Sequence, residues 1–255
     1  MNLVTTDALV LHAFDYLETS RIVRLATRDA GMLSVIARGA RASDKRFGWG
    51  LDLFASGVAQ IHSKPGRDLQ QLAGFDVGSA RGALSAHLER FSAASALSEL
   101  ALRFAGGDEP GEFFDVLTSA FDAIAAAPPA RARDVGLAAA WRLVAALGFA
   151  PAVQRCCSCH EDIASEATMS FSHQAGGVVC APCAAGLPRG RSLPPDARAA
   201  LNAWSRGEDV DLREEGVRRA HLRLLREFLE QHLNDGRPMR AFESWERGMG
   251  GARQA

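Results

Sequence analysis

Lysine is nearly missing from this chain: two of its 29 basic residues are lysines and the others are arginines. Arginine presents a planar fork suited to phosphate, although a composition rich in Ala, Arg and Gly fits a GC-rich genome equally well. Long apolar runs are absent, since no stretch approaches the ~18–20 residues of a membrane span. Met1–Thr6 has no basic segment leading into an apolar one. The expectation is therefore a cytoplasmic protein with reduced thiols and no membrane association. A net charge of −1 removes any global electrostatic case for nucleic-acid binding. No phosphate-cradling G-x-x-x-x-G-K-[ST], no G-x-S-x-G and no H-E-x-x-H occurs, and the carboxylates are scattered rather than clustered as in a two-metal nuclease. The chain does not read as an enzyme. With 47% hydrophobic and 23% charged residues over 255 positions, it reads as globular and long enough for two small cores.

Among what is present, four cysteines give the sharpest signal. Cys156 and Cys159 form one C-x₂-C, and Cys180 and Cys183 form another after twenty intervening residues. Two such turns supply four thiolates to one tetrahedral structural zinc ion. Gly176, Gly177 and Pro182 suit a sharply turning knuckle. Disulfides would need an oxidising compartment. Cys156-Cys157-Ser158-Cys159-His160 also fits the C-x-x-C-H haem attachment pattern, but that leaves Cys180 and Cys183 unexplained. A catalytic zinc would keep an open position, which four sulfurs close. Cys157 reads as a bystander, with replacement of Cys156 in the shell as the alternative.

Residues 1 to about 78 alternate with a period of two. Strands are expected over Ala8–Phe14, Ser20–Thr27, Met32–Ala37, Ala55–His62 and Leu69–Phe75, with turns at 28–31 and 64–67. Five short strands suggest a closed barrel, best matched by the OB-fold, which commonly binds oligonucleotides. From Arg21 to Arg46 seven basic residues face two acidic ones, so the stretch is locally +5. Arg21, Arg24, Arg38, Arg41, Lys45, Arg46 and Trp49 are the candidate DNA contacts. Cations would track phosphates, and exposed aromatics such as Phe47 and Trp49 would stack bases. The plainer alternative makes those aromatics a cover for the open end of the barrel and the arginines a solvated rim. Arg21 and Arg28 have opposite parity along a strand, so one regular face cannot show both.

At Ser79 the period changes to about 3.6. One long amphipathic helix is expected through Leu84, Leu88, Phe91, Leu97 and Phe104, stopped by Gly106-Gly107. Further helices are expected around Phe113–Ile124, Arg131–Leu147 and Leu201–Trp204, and finally from Glu215 to Leu233. Together they make a helical domain over 79–246, carrying the cysteine module at about 152–188 as an insertion that metal must hold. Residues 247–255 read as a disordered tail. Arg219, Arg223 and Arg226 share one face of the last helix. They read either as a solvated face or as a docking surface for an acidic peptide.

Several segments then carry a family likeness. Ala8-Leu9-Val10-Leu11, Thr27-Arg28-Asp29-Ala30-Gly31, Ile36-Ala37-Arg38-Gly39-Ala40-Arg41 and Leu51-Asp52-Leu53-Phe54 occur in order. Leu147-Gly148-Phe149-Ala150-Pro151 leads into the first cysteine pair. Phe228-Leu229-Glu230-Gln231-His232-Leu233 precedes Arg240-Ala241-Phe242. With these, the chain resembles the RecO family of bacterial recombination mediators. His160 stands where that family commonly has glycine, and Gly236-Arg237-Pro238-Met239 departs from a more usual lysine-serine-arginine approach. The resemblance implies an N-terminal OB-fold, a helical C-terminal domain and one structural zinc. It also implies binding of single- and double-stranded DNA, annealing of complementary strands, and help in loading RecA onto DNA coated by SSB. RecR, the SSB C-terminal tail and, indirectly, RecA are the implied partners, with a cytoplasmic, nucleoid-associated location. The fold expected is α+β: a five-stranded OB-fold β-barrel, then an all-helical domain with the inserted four-cysteine zinc module. Rival readings are an RNA-binding OB-fold protein with a structural zinc site, and a zinc-dependent hydrolase or nuclease.

Overall fold

The structure is a computed structural model and describes residues 2–41, 47, 51–104, 111–232 and 237–248. Lys45, Arg46 and Trp49 lie outside the described residues, as do Gly106, Gly107 and Leu233. The chain falls into two compact units, Met1–Ala127 and Pro128–Ala255.

The first unit begins with a closed barrel of strands β1 (Asn2–Tyr16), β2 (Ser20–Thr27), β3 (Gly31–Ala37), β4 (Ser56–Ser63) and β5 (Leu69–Ser79), ordered β1-β2-β3-β5-β4. This is the OB topology. The 15-residue β1 serves two neighbours: its first half pairs with β4 and its second half with β2. The register shifts between Val10 and His12, a bulge that lets one strand turn the barrel's corner. Parallel pairing of β3 with β5, Ser34 opposite Leu69, completes the closure. Alternation puts Val10, Val23, Leu25, Val35, Ile61 and Leu72 in the core. Each such side chain contributes on the order of 1.5–3 kcal/mol by leaving water. Phe47, expected as an exposed stacker or a cover, is 2% exposed and belongs to this core.

The single helix expected after Ser79 is instead two, α1 (Gly82–Ser85) and α2 (Leu88–Phe104). β5 holds its pairing with β4 as far as Ser79 opposite Ser56, and Arg81 then takes left-handed backbone angles that no helix passes through. Leu88, expected inward, is 66% exposed as a result of that break. α3 (Gly111–Ala126) follows, and Phe54 packs edge-on against both Phe91 and Phe121.

The second unit opens with a short 3₁₀ turn, Pro129–Arg131, and α4 (Ala132–Ala146). Next come β6 (Met169–Ser172), β7 (Gly177–Val179), α5 (Ala181–Ala184) and β8 (Arg191–Leu193), then α6 (Pro195–Ser205), α7 (Glu215–His232) and α8 (Arg240–Gly248). The three strands form one antiparallel sheet ordered β7-β6-β8, so the cysteine module carries a sheet of its own within a helical unit. Glu215 does not open the last helix: α8 buries Phe242 and Trp245, and it runs through Gly248. Trp141, Trp204, Phe171 and Phe228 fill the core. Asp134 of α4, 1% exposed, accepts two hydrogen bonds from Arg218 of α7, at 2.6 and 3.2 Å. No helix among the described residues is long and apolar enough to cross a membrane.

Candidate metal centre and nucleic-acid surface

The two C-x₂-C turns meet. The sulfurs of Cys156, Cys159, Cys180 and Cys183 all lie within 4.8 Å of one another, the one group of potential metal ligands among the described residues. Cys156 Sγ is 3.7 Å and Cys159 Sγ 3.8 Å from Cys180 Sγ. Four sulfurs at ~2.3 Å from a tetrahedral ion stand about 3.8 Å apart. All five cysteines are free thiols.

Local chemistry builds the two knuckles. In the first, His160 N–H donates to Cys156 O and Cys156 N–H to Glu161 O, both at 2.9 Å. This turn places His160 at φ 62, which explains why glycine suits the position. The second knuckle leaves β7 directly into Cys180. Gly176, at φ +78, makes the turn between β6 and β7, and a Cβ on Gly177 would sit 2.2 Å from Ala152 O. Burial opposes a charged Cys156, but backbone N–H groups of Cys159, Cys180 and Ser158 outweigh it and bring the thiol down to about 6. Cys183, bonded first to Cys180 and also desolvated, is pushed up to about 12. A cation bound there would displace the thiol protons. Cys157 Sγ points instead toward Ala152 O at 4.0 Å, outside the group of four.

On the barrel, ion pairing separates the candidate arginines. Arg21 binds Asp15 at 3.2 Å and Asp52 at 3.8 Å, and Arg41 binds the same Asp15 at 3.4 Å. Arg28 binds Asp7 and Asp115 and lies 5.0 Å over the Phe114 ring, and its bonds to Asp115 and Asp7 raise its pKa further. Arg24 sits on β2 between His12 and Ser34, and Arg38 is exposed just past β3. Neither forms an ion pair with another described residue.

Arg38 borders a cleft of about 540 Å³ at one end of the barrel. The β1–β2 loop supplies Leu17, and the β4–β5 turn supplies Lys64 and Arg67. Gln70 shapes that turn: its side chain accepts from Lys64 N–H at 2.8 Å and donates to Lys64 O at 3.1 Å and Arg67 O at 2.6 Å. Gly66 provides the left-handed step, φ +74. Among the described residues lining the cleft there is no carboxylate, whereas Arg38, Lys64 and Arg67 bring three cations. This is the end of the barrel where OB-folds take oligonucleotides. Lys64, Arg67 and Tyr16 were not among the sequence candidates, although two cations in one strand-to-strand turn were a visible signal.

The α7 arginines also separate. Arg219 and Arg223 border a groove of about 640 Å³ with Leu193, Val217 and Leu224 in its walls, and Arg223 pairs with Glu227 at 3.2 Å. Buried His221 lies in its lining, with its ring 4.8 Å from that of Trp204 and neither nitrogen hydrogen-bonded. Arg226 is 18% exposed and pairs with Glu230 at 3.0 Å and Glu246 at 2.9 Å, so it ties α7 to α8 rather than facing the groove.

A closed OB-type barrel with a cationic cleft, followed in the same chain by a helical unit with a four-thiol cluster, defines a two-part class of barrel protein. Within that class the particular family is shown by sequence: the chain belongs to the RecO family, a family of DNA repair and recombination. Residues 1–81 match the family described as Recombination protein O N terminal, and residues 85–241 match Recombination protein O C terminal. A DNA repair protein RecO from Anaeromyxobacter sp. (strain K) is 34% identical over 242 residues, covering 91% of this chain and 92% of the relative. One from Anaeromyxobacter sp. (strain Fw109-5) is 36% identical over 239 residues, covering 88% and 89%. A third, from Syntrophotalea carbinolica, is 34% identical over 185 residues, covering 72% and 70%.

Proposed function

We propose that this protein is a recombination mediator. It binds single- and double-stranded DNA through the barrel, anneals complementary strands, and helps load RecA onto single-stranded DNA coated by SSB. The cleft with Arg38, Lys64 and Arg67 and no carboxylate among its described lining residues is the observation that carries this reading. Cations there offset the repulsion between two phosphate backbones, and base pairing then drives annealing without ATP. Arg21 and Arg41 contribute less to DNA binding than sequence suggests, because Asp15 already neutralises part of their charge. Lys45, Arg46 and Trp49 remain proposed contacts.

Four thiolates fit one zinc ion, held by Cys156, Cys159, Cys180 and Cys183. When bound it supplies a cross-link between the knuckles. The closed shell supports a structural role and a binding protein rather than an enzyme. The SSB C-terminal tail, acidic in this family, is assigned to the groove bordered by Arg219 and Arg223. RecR as partner, RecA as indirect partner and a cytoplasmic, nucleoid-associated location rest on the family alone. The functional division follows 1–78 for DNA binding and 79–246 for the helical domain with its metal module.

The test is annealing of SSB-coated complementary strands without ATP, using the wild type and Arg38→Glu/Arg67→Glu. Annealing lost in a folded variant supports the reading. Equal annealing by both moves DNA off the cleft. No annealing by either, together with tighter binding of RNA than of DNA of equal sequence, favours the RNA-binding alternative.

A further inference from the structure

The outer face of the barrel beside the cleft is more apolar than a solvated sheet requires. Cross-strand register places Phe14 opposite Ile22, and Ile22 opposite Ile36, in one row across β1, β2 and β3. Their chain neighbours Ala13, Val23 and Val35 point into the core, so this row points outward. Phe14 is 44% exposed and Tyr16 41% exposed. His12 and Phe14 place their rings 5.6 Å apart, tilted by 55°, which extends the aromatic surface along β1. Phe14 and Tyr16 are two residues apart on one strand, hence on one face about 6.8 Å from each other. Tyr16 and Ile36 also line the cationic cleft, so the aromatic row and the cations form one continuous surface.

Two chemistries lie side by side here. Cations attract the phosphates of any nucleic acid, single or double. Exposed ring faces attract only bases that are free to leave a stack. We infer that Phe14 and Tyr16 stack the bases of single-stranded DNA whose phosphates lie along Arg38, Lys64 and Arg67, so that this face distinguishes single strands from duplex. The inference rests on the barrel being the DNA-binding part. A duplex keeps its bases paired and meets only the cations. A single strand meets both. An annealing protein with such a surface holds strands before pairing and loosens its hold on the duplex product, because pairing withdraws the bases from the rings.

Tyr16 is the only tyrosine in the chain, so 3-fluorotyrosine labels this one position. The ¹⁹F resonance of the labelled full chain is followed as three probes are added: oligothymidylate, an abasic strand of equal length, and a hairpin duplex. A shift with oligothymidylate that the abasic strand and the duplex do not reproduce supports the inference. In parallel, Phe14→Ala/Tyr16→Ala is expected to weaken binding of oligothymidylate at least about tenfold while changing duplex affinity less than about twofold. Arg38→Glu/Arg67→Glu is expected to weaken both. An unmoved Tyr16 resonance, or equal losses for strand and duplex in the aromatic variant, overturns the inference. Wild-type protein that anneals SSB-coated strands with an unmoved Tyr16 resonance overturns this inference alone. Wild-type protein that binds no DNA overturns the proposed function as well.

Discussion

Arg81 donates to Asp122 at 2.7 Å from a guanidinium that is 3% exposed, while its own backbone sits in the left-handed region at φ 44. The same guanidinium donates to Phe54 O at 2.9 Å and Ser56 Oγ at 2.8 Å. One side chain therefore ties the start of β4, the end of β5 and α3. Phe54, whose carbonyl it holds, is itself at φ 71. Replacing Arg81 by methionine leaves Phe54 O without its donor and is expected to cost about 3 kcal/mol. Arg81→Lys recovers little, because a single ammonium cannot reproduce the fork. Asp122→Asn costs less, since Asp122 is 58% exposed. Denaturant midpoints of the three variants check the order.

Metal removal is expected to separate the cysteines into four and one. Purified protein is expected to hold about one zinc per chain. Cys156→Ala or Cys180→Ala loses it, and Cys157→Ala retains it. Elemental analysis after dialysis reads the difference, and zinc bound equally by Cys180→Ala and wild type counts against a four-thiolate shell.

His221 titrates in the direction that makes acid destabilising. Burial holds its pKa down to about 4 in the folded protein, against about 6.5 unfolded. The neutral ring is the folded form, so its contribution is fully present above about pH 6.5 and is lost as pH falls toward 4. Burial pushes the Glu227 carboxyl up, but Arg191 together with His173 and Arg223 outweighs it and holds it below the usual range, which adds a loss of the same sign at lower pH. His221→Phe is expected to remove about 3 kcal/mol of the stability change between pH 6.5 and 4. Urea midpoints measured across that range decide it; an unaltered slope places the acid sensitivity elsewhere.

At His160 the left-handed backbone carries a cost that glycine does not. His160→Gly is expected to leave zinc stoichiometry unchanged and raise stability by up to about 1 kcal/mol. Thermal unfolding of the zinc-loaded proteins measures it, and a clear loss of stability means the imidazole makes a contribution of its own.

Arg223 and Arg226 are three residues apart yet are expected to behave differently. Arg223, exposed at the groove although it pairs with Glu227 at 3.2 Å, is expected to contribute to capture of an acidic peptide, with Arg223→Glu weakening it about tenfold. Arg226→Ala costs about 1 kcal/mol of stability through its lost pairs with Glu230 and Glu246, and changes peptide affinity less than about twofold. Fluorescence anisotropy with an acidic peptide and parallel unfolding curves separate the two effects.

The cysteine spacing, the change from a period of two to one of 3.6 at the end of the barrel, and the strand positions in the first eighty residues were legible in the sequence. They are local properties: a C-x₂-C closes within one turn, and alternation follows from which face of a strand meets the core. Sequence also showed a locally basic segment from Arg21 to Arg46, but not which of its charges are already paired. That depended on the β1–β2 register and loop, which bring Asp15 to both Arg21 and Arg41. The cleft was beyond sequence reasoning for the same reason. Tyr16, Arg38 and Arg67 are distant along the chain and become neighbours only when β3 pairs in parallel with β5 and the barrel closes. Periodicity also ran through Leu88 as though one helix continued, because hydrophobic spacing carries no information about the left-handed step at Arg81 that redirects the chain. What the residues determine by themselves is the strand and helix periodicity of the larger elements and the four candidate metal-donor sulfurs; the break at Arg81, the small sheet of the cysteine module and which arginine charges are already paired are decided by tertiary structure, since neutralisation depends on distance in space and not on spacing in sequence.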